Sequence, residues 1–157
     1  MNSNVVFIFA GGIGIVAGLR SLLAPTAVAW AAHLDWLNLH DTFLNFMGSK
    51  VAVAIFSLLA IGELIADKLP KVPKRTAAAP LLARMLTGGL CGACLGVSAN
   101  QSLGIGALLG AIGAVIGAFG GYEIRKRLVT RLNIADILVA LPEDFTAIGL
   151  AFLFVSR

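Results

Sequence analysis

The chain has 157 residues, of which 59% are hydrophobic and only 13% charged, about half the share usual for soluble domains. Twelve Lys and Arg against eight Asp and Glu give a net charge of +4, too few polar groups to cover a compact globule with water-compatible surface. A mean hydropathy of +0.94 agrees. The composition excludes a disordered chain, a disulfide-knit secreted domain and a nucleic-acid binder, and it predicts an integral membrane protein.

Val5 to about residue 24 forms the first predicted span, with Gly11, Gly12, Gly14 and Gly18 along it. Roughly 20 apolar residues suffice to cross the hydrocarbon core. The segment stays apolar beyond Arg20 and Ser21 to Ala32, but Pro25 lacks an amide donor and predicts a break near residues 20–25. Ala27-Val28-Ala29 is a weak look-alike of a signal-peptide cleavage site, and no basic n-region precedes it, so the segment is kept. In residues 34–47, Asp35, Asn38, Thr42 and Asn45 recur at helical spacing opposite Trp36, Leu37, Phe43, Leu44 and Met47. That pattern predicts an amphipathic helix lying in the membrane interface, the alternative being a loop with scattered aromatics. Further spans are predicted over 51–67, 80–99, 103–122 and 134–155, the last interrupted by Pro142. The expected fold class is therefore an all-α transmembrane bundle of about five spans, with broken first and last helices and one interfacial helix.

Eight of the twelve basic residues lie in two short segments: Lys68, Lys71, Lys74 and Arg75, and Arg125, Lys126, Arg127 and Arg131. Short loops rich in Lys and Arg stay in the cytoplasm, so loops 68–79 and 123–133 are assigned there. A five-span path then puts the N-terminus inside, loops 34–50 and 98–102 outside, and the C-terminus outside. If residues 22–34 return to the surface they entered from, the N-terminus moves outside and the rest is unchanged.

Gly106, Gly110, Gly113, Gly117 and Gly120 form one stripe, Gly88, Gly92 and Gly96 a second, and Gly14 with Gly18 a third. Between helices in lipid, close backbone approach at small residues drives association, so these rows predict tight packing within the chain or against a second copy. Cys91 and Cys94 have redox spacing but fall mid-span among Gly, Ala and Leu, and His33 and His40 add no metal spacing; both cysteines read as small apolar filler. No cofactor or metal is implied.

Ionisable residues inside apolar segments are costly and generally pair or mark a pathway. Glu63, Asp67 and Arg84 lie on consecutive predicted helices and are expected to meet in a cluster near the cytoplasmic side. Glu143 and Asp144 fall near the middle of the last span behind Pro142, where a half-helix start would favour their charged forms. Arg20, beside the first break, is expected to join them at the midplane. Asp136 is a secondary candidate near the start of that span. Two interrupted helices with opposite charges resemble transporter sites, although a buried ion pair that locks two broken helices explains the same residues.

Gly18-Leu19-Arg20-Ser21 with Pro25, Gly62-Glu63-Leu64-Ile65-Ala66-Asp67-Lys68-Leu69-Pro70, Arg75-Thr76, Pro80 and Glu143-Asp144 are similar to the small bacterial inner-membrane proteins of domain of unknown function 4126. The resemblance covers almost the whole chain. It implies a multi-pass location in the bacterial inner membrane and no established activity. The leading functional expectation is a transporter or channel for a small solute or ion, proton- or cation-coupled, built on Arg20, Glu143 and Asp144. The alternative is a non-catalytic scaffold or lipid-interacting protein with structural charges. An enzyme ranks third, for want of any catalytic or nucleotide-binding motif. Expected partners are membrane lipids, a small solute or ion, and possible further copies of the chain, but no nucleic acid.

Overall fold

The computed structural model describes residues 3–66, 77–132 and 136–156, with the side chains of 131–140 outside the description. All regular structure among the described residues is helical: α1 (Ser3–Leu19), α2 (Leu23–His33), a 3₁₀ helix (Phe43–Gly48), α3 (Lys50–Ala66), α4 (Ala78–Ser98), α5 (Leu103–Leu132) and α6 (Asp136–Val155). Two of them, Ala78–Ser98 and Leu103–Thr130, are long and apolar enough to cross a membrane, and α1 is a shorter apolar helix.

The three helices that carry the glycine rows, α1, α4 and α5, make the most extensive contacts. A Cβ added at Gly92 would lie 3.0 Å from the Gly110 Cα, and one at Gly110 would lie 3.1 Å from the Gly92 Cα. Gly106 and Gly110 thus seat α5 on Gly92 and Gly88 of α4, while Gly96 approaches the Ser102 carbonyl. Further along the same row of α5, Gly113 and Gly117 meet the backbone of Gly11 and Ile15 on α1, and Gly14 and Gly18 meet Gly110 and the Ala114–Ala118 backbone. One row on α5 therefore serves two neighbours. The row stops short of Gly120, which has nothing within 4 Å and is exposed.

These contacts fix helix directions. Rising numbers on α1 meet rising numbers on α5, so the two run parallel, and α4 runs antiparallel to both. The start of α1 consequently lies at the same end of the bundle as the 99–102 connection. A path with the N-terminus opposite that loop does not fit; residues 22–34 do turn back toward the end from which α1 entered. Contacts of Ser21 with Glu63 and of His33 with Gly48 show that α2 and α3 form an antiparallel pair. α6 packs on α1 and α2, and α3 on α2 and the 3₁₀ helix.

Three predicted features are revised. Residues 34–42 are not an amphipathic helix, because α2 ends in a Schellman motif: Asp35 takes φ 59, its amide reaches the Ala32 carbonyl (3.3 Å), and Trp36 N donates to Ala31 O (2.8 Å). The chain then runs irregularly to the 3₁₀ helix, pinned by buried Leu37, Leu39, Leu44 and Met47. α4 ends the same way at Asn100 (φ 54), with Gln101 N donating to Gly96 O (2.8 Å) and Asn100 N to Val97 O (2.9 Å). The last helix is not interrupted either. α6 runs through Pro142 from Asp136 to Val155. The proline removes a single amide donor, and the helix continues beyond it with Asp144, Ala147, Ala151 and Val155 on its buried side. α5 also continues past Tyr122 to Leu132, with Glu123 and Arg127 bonded one turn apart (2.8 Å), so most of the basic segment 123–133 is helix.

The exterior carries large apolar side chains all round, among them Ile8, Leu58, Ile65, Leu86, Leu108, Ile116 and Phe152. α3 buries only Ala52, Val53 and Ala60. A soluble protein rarely exposes apolar surface this widely.

Candidate functional site: the charged end of the bundle

The site begins where the first helical segment breaks. Arg20 N still donates to Val16 O (2.8 Å), completing α1, and residues 21–22 turn the chain into α2. Pro25 falls in the first turn of α2, where its missing amide would have had no helical partner. Leu22, the N-cap residue, has no side chain able to cap. The cap comes from α3: Glu63 Oε1 accepts from Ser21 N (2.9 Å) and Ser21 Oγ (2.6 Å), and Oε2 accepts from Leu22 N (2.9 Å). A carboxylate at a helix N-terminus meets both orphaned amides and the positive end of the dipole. One turn on, the Thr26 hydroxyl lies 2.7 Å from the Leu22 carbonyl and 2.9 Å from the Phe56 carbonyl, tying α2 to α3 again.

Arg20 itself turns inward. It is 1% exposed, and its Nε donates to Asp144 Oδ1 at 2.8 Å while Nη2 approaches the same oxygen; Asp144 is 8% exposed. Glu143, the adjacent residue, engages a different cation: its Oε2 lies 3.6 Å from Arg125 Nη1 of α5, with both side chains largely buried. Neighbouring helical positions point in different directions, so α6 offers one carboxylate to α1 and the other to α5. Asp144 and Glu143 stand inside a continuous helix, so the expected half-helix dipole does not act on them.

Arg84 is 5% exposed and continues the row Gly88, Gly92 and Gly96 by one turn. Because Gly88 faces Ala17, Arg84 and Arg20 fall at about the same level on antiparallel neighbours. The expected meeting of Glu63 with Arg84 on a hairpin of consecutive helices does not match the packing: α3 hardly touches α4, and Glu63 is spent on the α2 cap. Asp67 and the Asp136 side chain lie outside the described residues. Counting about 1.5 Å per residue, Asp144 stands roughly 12 Å into α6 and Arg84 roughly 9 Å into α4. The charges therefore gather off centre, toward the end where α4 and α6 begin.

Sequence reasoning missed Arg125, placed in a basic, helix-like connection because the apolar run ends at Tyr122; a helical count from Ala118, seven residues earlier and fully buried, would have placed it on the inward face. It also missed that Glu63 serves backbone rather than a side chain. Cys91 and Cys94 are buried, free thiols, and no cluster of three metal-ligating residues occurs among the described residues.

No curated protein and no solved structure is significantly similar to the chain. The family described as domain of unknown function (DUF4126) matches residues 7–156, which includes the Arg20 break, Glu63 and the Glu143-Asp144 pair. The chain belongs to that family.

Proposed function

We propose that this is a multi-pass protein of the bacterial inner membrane, a non-catalytic, lipid-interacting helix bundle whose buried charges are structural. The observation that carries the reading is that five inward-facing charged side chains meet fixed elements: Arg20 with Asp144, Arg125 with Glu143, and Glu63 with the amides opening α2. Buried ions matched in this way hold a broken helix in register, and the apolar exterior supplies the lipid contact. In this arrangement α1, α3, α4, α5 and α6 cross the bilayer, and α2 returns through about one leaflet. The basic segments 68–79 and 123–133 face the cytoplasm, and the N-terminus faces outside. A cysteine at position 100 should react with an impermeant thiol reagent in intact cells while one at 129 stays protected; the reverse pattern rejects the orientation.

A second reading, transport of a small solute or ion, draws on the helix break placed beside the Arg20–Asp144 pair, an arrangement also used by transporters. One series separates the two. Arg20→Met strands Asp144 in the interior and should cost about 3–5 kcal/mol. Adding Asp144→Asn should recover much of that loss. If the charges are structural, liposomes carrying wild-type protein and the double variant leak protons and small ions equally. Flux through wild type that vanishes in the stable double variant sinks the structural reading in favour of transport.

A further inference from the structure

The outward face of α2 carries a ridge between two grooves. On one side α2 and α6 enclose an apolar groove of about 310 Å³, floored by Ala27, Ala31 and Ala151 and walled by Leu23, Ile148 and Phe152. On the other side α2 and α3 enclose a more open groove of about 520 Å³, lined by Val53, Ala54, Leu58 and Ser57, with His33 and Lys50 at its mouth. Trp30 lines both grooves and is the ridge. Its Nε1 donates to Ser57 Oγ (3.1 Å), which fixes the ring across the α2–α3 seam. Trp36 closes the top of the first groove, edge-on to Phe152 at 5.7 Å.

Three properties select the occupant. From Leu23 to Leu34 the first groove is about 16 Å long, close to half of the roughly 30 Å hydrocarbon core, so it matches the acyl chains of one leaflet. Tryptophans stand at its upper half, as they do where a protein meets the headgroup layer. A cation is in place for a phosphate: Lys50, the sole Lys or Arg between residues 21 and 66, lines the second groove with His33, whose Nδ1 lies 2.9 Å from Gly48 O, while the acids Asp35 and Asp41 line neither groove. Asp35, the acid just beyond α2, is bonded to His40 (2.9 Å).

We infer that the α2 face is a binding site for one diacyl phospholipid, its chains astride Trp30 and its phosphate on Lys50. The inference rests on the membrane-embedded reading above and names the lipid class that the reading leaves open. The site holds a lipid in the leaflet opposite the two basic segments.

Trp30 and Trp36 are the chain's two tryptophans, so intrinsic fluorescence reports on the site directly. The full chain in detergent micelles is titrated with phosphatidylglycerol brominated midway along its acyl chains. Quenching should saturate near one lipid per chain. Lys50→Gln should weaken the apparent affinity at least fivefold, and Ala151→Phe, which fills the first groove, should remove much of the saturable quenching. Quenching that merely follows the lipid mole fraction, equal in wild type and in Lys50→Gln, overturns the site whether or not the Ala151→Phe variant folds. Release of the chain from membranes by alkaline carbonate, tested before any lipid is added, would reject the membrane reading itself. A chain that resists carbonate but shows no saturable quenching loses only the lipid site.

Discussion

The α1–α4–α5 core and the α2–α3 pair solve the same problem by opposite means. In the core, side chains are absent where helices meet, and backbone packs on backbone at Gly92, Gly106, Gly110 and Gly117. α3 instead buries few residues and is held to α2 by named polar bonds, from Glu63 to Ser21 and Leu22 and from Thr26 to Phe56. In the membrane-embedded arrangement proposed above, lipid tails would compete with apolar side chains for every exposed helix face, so neither region would gain much from apolarity alone. The core gains from dispersion over a long, close contact. The pair gains from the cost of leaving part-buried amides without partners.

The largest expected effect tests the core. Gly110→Ala sets a methyl against the Gly88 carbonyl, where only backbone movement can relieve the overlap, and should cost about 3 kcal/mol or more. Gly120→Ala, on the same helix with open space around it, should leave thermal unfolding in detergent unchanged or slightly improved, since Ala favours helix. Equal behaviour of the two variants would erase the distinction between packed and exposed glycine. The next effect tests the peripheral pair. Glu63→Ala removes the acceptor from two amides and one hydroxyl and should cost about 1–3 kcal/mol. Hydrogen exchange should speed up at Ser21, Leu22 and the first turn of α2 while the α4–α5 contact stays protected. Loss of protection throughout would show that the cap supports the core as well. The smallest effect concerns the helix ends. Asn100→Gly relieves a left-handed backbone and should add about 0.5 kcal/mol, read as a small rise in melting temperature.

The same contrast explains what could be read before the structure. Glycine rows at spacings of three and four are a local pattern, and their period carries the contact, so the α4 row and most of the α5 row were legible. Their end was not, because Gly120 fits the spacing and only the position of α1 shows that nothing faces it. The helix break was legible from Arg20 and Pro25, and so was the burial of Arg20 and Asp144. The partners of Glu63 and Glu143 were not. A carboxylate that caps a distant helix leaves no local signature, and Arg125 lay beyond the apolar run that defined the span. Pro142 misled for a related reason: its cost is local, while the support that keeps α6 continuous comes from α1 and α2.

The parallel docking of α1 on α5 has a consequence for how the protein is made. Gly14 finds its seat on Gly110, and Gly18 finds its seat beside Gly117, so the first helix leaves the ribosome long before its partner exists. At about 5–20 residues per second, α1 waits roughly 5–20 seconds for α5. During that interval Arg20 also lacks Asp144, which is synthesised later still. Through that interval the glycine face of α1 and the Arg20 guanidinium must be covered by something other than their final partners, until the last third of the chain arrives.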